Sequence, residues 1–227
     1  MSSENNYRKV IQEEMGKLNK KVNLKVFTSL KTEENGSKVH KCVDCEQTMQ
    51  LLRIYEEYSN KLLHIEETSI YDEPEFAKKN DIQRVPTIIF TDENEREIIR
   101  YLANPIGQEI QPFVKAIFAI GGGPNYYEKI INQYIERISP STIKVMITMQ
   151  CPYCPSLVEA SNLFAIASKG KIRTVIVDIQ GNPDIGQYYN ASGVPYTIIN
   201  ERPAIQGMIP AHELLRELIG SNIDIQY

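Results

Sequence analysis

Cysteine is scarce in this chain, with four among 227 residues, and tryptophan is absent. The missing tryptophan excludes nothing about function. The scarcity of cysteine does, because the four fall as two close pairs, Cys42 with Cys45 and Cys151 with Cys154, and none is left to cross-link distant segments. The chain is therefore not a small disulfide-stapled scaffold, and pairs so spaced read as redox-active or metal-binding. Long apolar runs are lacking as well, so no stretch is a candidate membrane-spanning helix. The opening residues, Met1-Ser2-Ser3-Glu4-Asn5-Asn6-Tyr7-Arg8-Lys9, have no apolar core of a secretion signal, and the chain is expected to work in the cytoplasm. Nor is positive charge in excess. A formal net charge of -4 argues against nucleic acid or a membrane surface as the principal partner. What remains, 42% hydrophobic and 24% charged residues, describes a globular protein of one large domain or two of about 110 residues each.

One stretch organises the rest. Thr148-Met149-Gln150-Cys151-Pro152-Tyr153-Cys154 lies between an apolar run, 143–147, and a helical pattern over 156–167. The leading thiol then stands at a helix N-terminus, where unpaired N–H groups and the macrodipole favour a thiolate. The second lies within one turn and can close on the first. Further along, Gly193-Val194-Pro195-Tyr196-Thr197-Ile198-Ile199 sets a proline at the mouth of another strand, a candidate for a cis peptide bond.

Periodicity in the first half predicts a helix over 7–18, a strand over 23–29, a surface loop over 30–41 and a helix over 46–60. A strand over 61–69, a short helix over 73–80, a hairpin of 84–90 with 96–102 and an amphipathic helix over 108–120 follow. Gly121-Gly122-Gly123-Pro124 stops one helix and starts another, which divides the chain into units of residues 1–120 and 121–227. The second half repeats the order: helix 125–138, strand 142–148, helix 156–168, strand 173–179, short helix 183–189, hairpin 196–200 with 202–207, and helix 211–219. Cys42 to Cys151, Pro74 to Pro183 and Pro86 to Pro195 each span 109 positions, whereas Lys25 to Lys144 spans 119. The first copy thus carries ten extra residues ahead of its cysteines, and the chain is an internal duplication. A C-x-x-C pair beside a βαβ pattern is the signature of a thioredoxin-like redox unit. The expected fold is α/β, two tandem thioredoxin-like domains, each a central mixed sheet flanked by helices.

Cys151-Pro152-Tyr153-Cys154 is similar to the active-site tetrapeptide of glutaredoxins, and Val194-Pro195 resembles the cis-proline of the thioredoxin fold. The whole layout, two fused units with Cys-Pro-Tyr-Cys in the second, resembles the protein disulfide oxidoreductases of thermophilic archaea and bacteria. The resemblance implies glutaredoxin-like activity on protein thiols and disulfides and no cofactor beyond the redox-active disulfides. It also implies reduction by a thioredoxin-reductase-like flavoprotein, in a cytosol where protein disulfides are common.

On this reading Cys151 attacks and is the more exposed of its pair, while Cys154 resolves. Cys42 and Cys45 take the corresponding places in the first unit. Pro195 and Pro86 are the paired cis-proline candidates. Val194 and Val85 offer backbone to an extended substrate, and Tyr153 presents a ring beside the site. The first unit departs from the resemblance in its ten extra residues and in Cys42-Val43-Asp44-Cys45, where Asp44 disfavours a second anion. The Cys42 pair is therefore expected to be the more reducing of the two. His40 is expected as a solvated loop residue and Asp178 as the nearest candidate buried acid. Two alternatives stand beside this reading: a dedicated dithiol electron carrier to a peroxiredoxin-type peroxidase, and a non-catalytic, chaperone-like zinc protein using all four thiolates.

Overall fold

The computed structural model describes residues 2–220, and the repeat read from the sequence is visible in the order of its elements. In the first round α1 (Ser2–Met15) precedes β1 (Val22–Thr28), a hairpin of β2 (Leu30–Thr32) and β3 (Lys38–His40), α2 (Val43–Tyr58) and β4 (Leu63–Ser69). Then come α3 (Pro74–Lys79), β5 (Thr87–Thr91), β6 (Glu97–Leu102) and α4 (Ile110–Ile120), the last entered through a 3-10 turn at Gly107–Glu109. The second round runs α5 (Glu128–Tyr134), β7 (Ser141–Ile147), α6 (Cys154–Ala167), β8 (Ile172–Asp178), α7 (Pro183–Tyr188), β9 (Tyr196–Ile199), β10 (Ile205–Gln206) and α8 (Ala211–Ile219). Proline opens both short helices, α3 and α7, where its missing N–H costs nothing. Gly220 ends α8 in the left-handed region at φ 71°, which glycine adopts freely.

Two expectations need correction. The segment 30–41 is a two-stranded ribbon rather than a loop, with Leu30 opposite His40 and Thr32 opposite Lys38. Its exposed strands carry no apolar alternation, so periodicity was blind to them. The helix expected over 125–138 is regular only at Glu128–Tyr134 before tightening into a 3-10 turn, Ile135–Arg137.

Eight strands form one continuous sheet in the order β10-β9-β7-β8-β6-β5-β1-β4. In the first round β1 runs parallel to β4 and antiparallel to β5, and in the second β7 runs parallel to β8 and antiparallel to β9. The two rounds join through β6 and β8, which run parallel. Following these pairings across the sheet, β1 and β7 point the same way, so both C-x-x-C segments emerge at the same sheet edge. Four strand spacings separate them, about 19 Å at about 4.8 Å each.

One face carries most of the helices over a core shared by both units, including Met15, Leu52, Tyr55, Phe113, Ile131, Cys154 and Leu214. Helix α6 is apolar nearly all round because it lies inside this layer, against α4 of the first round, α5 and α8. The other face has two smaller clusters, Phe27 with Ile89 near α3 and Met146 with Val177 near α7.

Candidate active site

Both cysteine pairs are disulfides, with Cα–Cα separations of 5.3 Å for Cys42–Cys45 and 5.5 Å for Cys151–Cys154. Each leading sulfur accepts an amide hydrogen bond from the turn it begins: Cys45 N–H to Cys42 Sγ and Cys154 N–H to Cys151 Sγ, both 3.1 Å. Cys42 is the N-cap of α2, in extended backbone at φ -119° and ψ 135°. In the second unit Cys151 is held by its own N–H on the Thr148 carbonyl, 3.1 Å away. These amides are the donors expected to steady a leading thiolate. The peptide bonds Val85–Pro86 and Val194–Pro195 are both cis, and the prolines immediately precede β5 and β9 at the edge where the cysteines lie.

The burial of the sulfurs separates the two sites. Cys45 and Cys154 are fully enclosed, and Cys151, though the more exposed of its pair, keeps only 5% of its surface. Cys42 is half-buried and is the more open of the two leading cysteines. The neighbours are displayed in both units: Val43 is 72% exposed and Tyr153 65%.

The first unit's extra ribbon is anchored beside its disulfide. His40 is not a free loop residue: its Nε2 lies 2.7 Å from Glu67 Oε1, which also accepts from Thr28 Oγ1 at 2.7 Å. Ser69 donates its hydroxyl hydrogen to the Leu30 carbonyl. Ser29, where β1 passes into the ribbon, accepts the Cys42 N–H at 2.8 Å and donates to Cys45 Sγ at 3.5 Å.

The second unit reaches into the first at the cis-proline. Arg84, one residue before Val85, makes a two-pronged ion pair with Asp184, both distances 3.0 Å, and also donates to Asn182 Oδ1 at 3.1 Å. Asn182 Nδ2 returns to the Leu102 carbonyl at 2.9 Å. A cavity of about 50 Å³ is left between Asp44, Val85 and Pro86 of the first unit and Asp178, Gly181 and Asn182 of the second.

Sequence reasoning missed Glu109. It sits in the 3-10 turn before α4, fully buried, and neither carboxylate oxygen has a hydrogen-bond partner among the described residues. Burial, and after it the charge of Asp178, pushes its carboxyl up to about 8. Its turn packs against α6, the helix that Cys154 begins, and Gly107 lies so close to Met149 that an added Cβ would stand 3.2 Å from that carbonyl. The first unit thus supplies a protonated acid beside the second unit's helix. No local pattern announces it, since it precedes an amphipathic helix as any solvated first-turn acid does. Asp178, the acid named from sequence, lies at the end of β8 and is also raised, by burial first and more weakly by Asp44.

A shared four-thiolate zinc site is incompatible with this layout. Zinc–sulfur bonds of about 2.3 Å require all four sulfurs at one point, whereas the pairs emerge about four strands apart on one sheet.

A thioredoxin domain family model matches residues 141–220. The AhpF component of alkyl hydroperoxide reductase in Xanthomonas campestris pv. phaseoli is 23% identical over 141 residues, 62% of this chain and 26% of its own length. The chain therefore spans about a quarter of that curated relative. Among solved structures, the alkylhydroperoxide reductase AhpF of Enterococcus faecalis (C503A mutant) superposes with a TM-score of 0.78 at 21% identity, covering 94% of this chain and 98% of that one. A protein disulfide oxidoreductase from Aeropyrum pernix gives 0.79 at 24% identity, covering 94% and 91%. The thermophilic source implied by the resemblance is not carried by these likenesses. What they and the geometry share is the fold, tandem thioredoxin-like α/β units; in this chain each unit carries a C-x-x-C disulfide.

Proposed function

We propose that this chain is a protein thiol–disulfide oxidoreductase whose two disulfides work in turn, divided into units at Gly121–Gly123. The observation that carries the reading is the repeated constellation of a C-x-x-C disulfide at a helix start, an amide donor on the leading sulfur and a cis-proline at the same sheet edge. In reduction, the Cys151 thiolate attacks one sulfur of a substrate disulfide, forms a mixed disulfide and expels the other sulfur as a thiolate. Cys154 then attacks Cys151, releases the second substrate thiolate and closes the Cys151–Cys154 bond, so two electrons pass to the substrate. Glu109, its carboxyl pushed up to about 8 and its turn packed against the helix that Cys154 begins, is proposed as the group whose ionised form takes the Cys154 proton as that thiol attacks. Val194, Val85 and Tyr153 are proposed substrate contacts. Redox-active disulfides suffice without a bound cofactor. The proposed setting is the cytoplasm, with a thioredoxin-reductase-like flavoprotein as electron donor.

Insulin reduction with dithiothreitol tests this. Cys151→Ser is expected to lower turnover at least tenfold, and Cys42→Ser to lower it less when dithiothreitol supplies electrons directly. Parent-level turnover in the Cys151→Ser, Cys42→Ser double variant would sink the proposal. A second reading, delivery of electrons to a peroxiredoxin-type peroxidase, is favoured by the likeness to the AhpF component of alkyl hydroperoxide reductase. It predicts faster reduction of such a peroxidase than of insulin.

A further inference from the structure

The two enclosed cysteines are served differently, and the difference lies in one hydroxyl. Ser29 is buried, and its oxygen already accepts the Cys42 N–H at 2.8 Å. With a lone pair so engaged, its single hydrogen points to Cys45 Sγ, 3.5 Å away. Cys45 is fully enclosed, so water cannot replace that donor. The 119-residue offset that relates Lys25 to Lys144 relates Ser29 to Thr148. There it is the Thr148 backbone carbonyl that holds Cys151, and no hydroxyl donor to Cys154 is found among the described residues.

We infer that Ser29 is a positioning residue for the first disulfide, fixing the Cys42 backbone while stabilising Cys45 as the departing sulfur. The inference rests on the first pair being redox-active. When an incoming dithiol's thiolate attacks Cys42, a bond forms between the incoming sulfur and Cys42 Sγ, and the Cys42–Cys45 bond breaks. Its electron pair stays on Cys45 as a thiolate, which the Ser29 hydroxyl meets. The incoming reagent's second thiol gives its proton to solvent, and its thiolate displaces Cys42 Sγ, leaving the reagent oxidised and the pair reduced. A hydrogen bond to a charged sulfur is stronger than one to a disulfide sulfur, so Ser29 favours the reduced pair.

The test uses full-length protein carrying Cys151→Ser and Cys154→Ser, equilibrated with oxidised and reduced dithiothreitol, the Cys42–Cys45 state being read by alkylation and mass. Ser29→Thr keeps the hydroxyl, and Ser29→Val has nearly the same shape without it. The serine and threonine proteins are expected to agree within twofold. Ser29→Val and Ser29→Ala are expected to shift the equilibrium about tenfold toward the disulfide, a potential about 30 mV lower by the two-electron conversion. Equal equilibria across threonine, valine and alanine would overturn the role of Ser29 while leaving the redox reading intact. A parent pair that never equilibrates with dithiothreitol would remove both. If valine proves unstable to urea, serine against alanine decides the point, with threonine required to restore the parent value.

Discussion

Glu109 and Asp44 are the two carboxylates proposed to tune the pairs. For Glu109 the sign follows from its raised value. An unfolded glutamate titrates near about 4.3, whereas this one is pushed up to about 8, so the native state holds the proton more tightly. Its contribution to stability is present below about pH 4.3 and is lost as pH rises through about 8. Glu109→Gln should therefore match the parent near pH 4 and exceed it near pH 9, by an upper bound of about 5 kcal/mol, as checked by urea unfolding at both values. If the proposed proton exchange holds, the same variant also slows resolution by Cys154. Asp44 is proposed to act on the other pair. Acids occupy the first turn of α2 at Asp44 and Glu46, and the first turn of α6 has none. Pair-resolved redox titration of Cys42→Ser and Cys151→Ser proteins is expected to give the lower potential to Cys42–Cys45, and Asp44→Asn to narrow the gap. The reverse order would count against the electrostatic account. The cysteines and prolines were legible in sequence because each marks its own site at a fixed offset. Glu109 was not, because the helix it packs against lies in the other copy. His40 was misread because its partner, Glu67, sits 27 positions away on a neighbouring strand.

At the scale of elements, α4 and α6 hold the molecule together. The rings of Phe90, Tyr101 and Tyr55 meet Phe113 of α4 at centroid distances of 5.1 to 5.6 Å. Phe113→Ala is expected to destabilise by about 3–5 kcal/mol in urea unfolding, most of it through the cavity left behind. Asn182, just before α7, is nearly buried and bridges Arg84 to the Leu102 and Asp178 carbonyls. Asn182→Ala takes the side-chain donor from the Leu102 carbonyl, while Arg84 keeps Asp184 and the Asp178 carbonyl keeps the backbone N–H, and should cost about 1–3 kcal/mol. The strands and helices of both copies were readable because their apolar periods are regular. The β2–β3 ribbon was not: Lys31, Lys38 and Val39 face solvent, so its order comes from pairing and from the contacts of Ser69 and His40.

At the scale of the whole molecule, duplication was legible in the shared offset, but the join was not. A repeat says that two similar units exist, and only the pairing of β6 with β8 says that their sheets are one. With one sheet and one principal core running through both copies, a single cooperative transition is expected. Calorimetric and van't Hoff enthalpies should agree, and two separate transitions would contradict this. The common edge has a further outcome. Sulfurs exchange partners only at bonding range, about 2.05 Å, and the strands that lead to the two dithiols stand four spacings, about 19 Å, apart. Neither can hand electrons straight to the other, so any traffic between them needs a courier that calls at one and then the next. Because both doors open on the same street, such a courier could serve them in succession without ever circling the molecule.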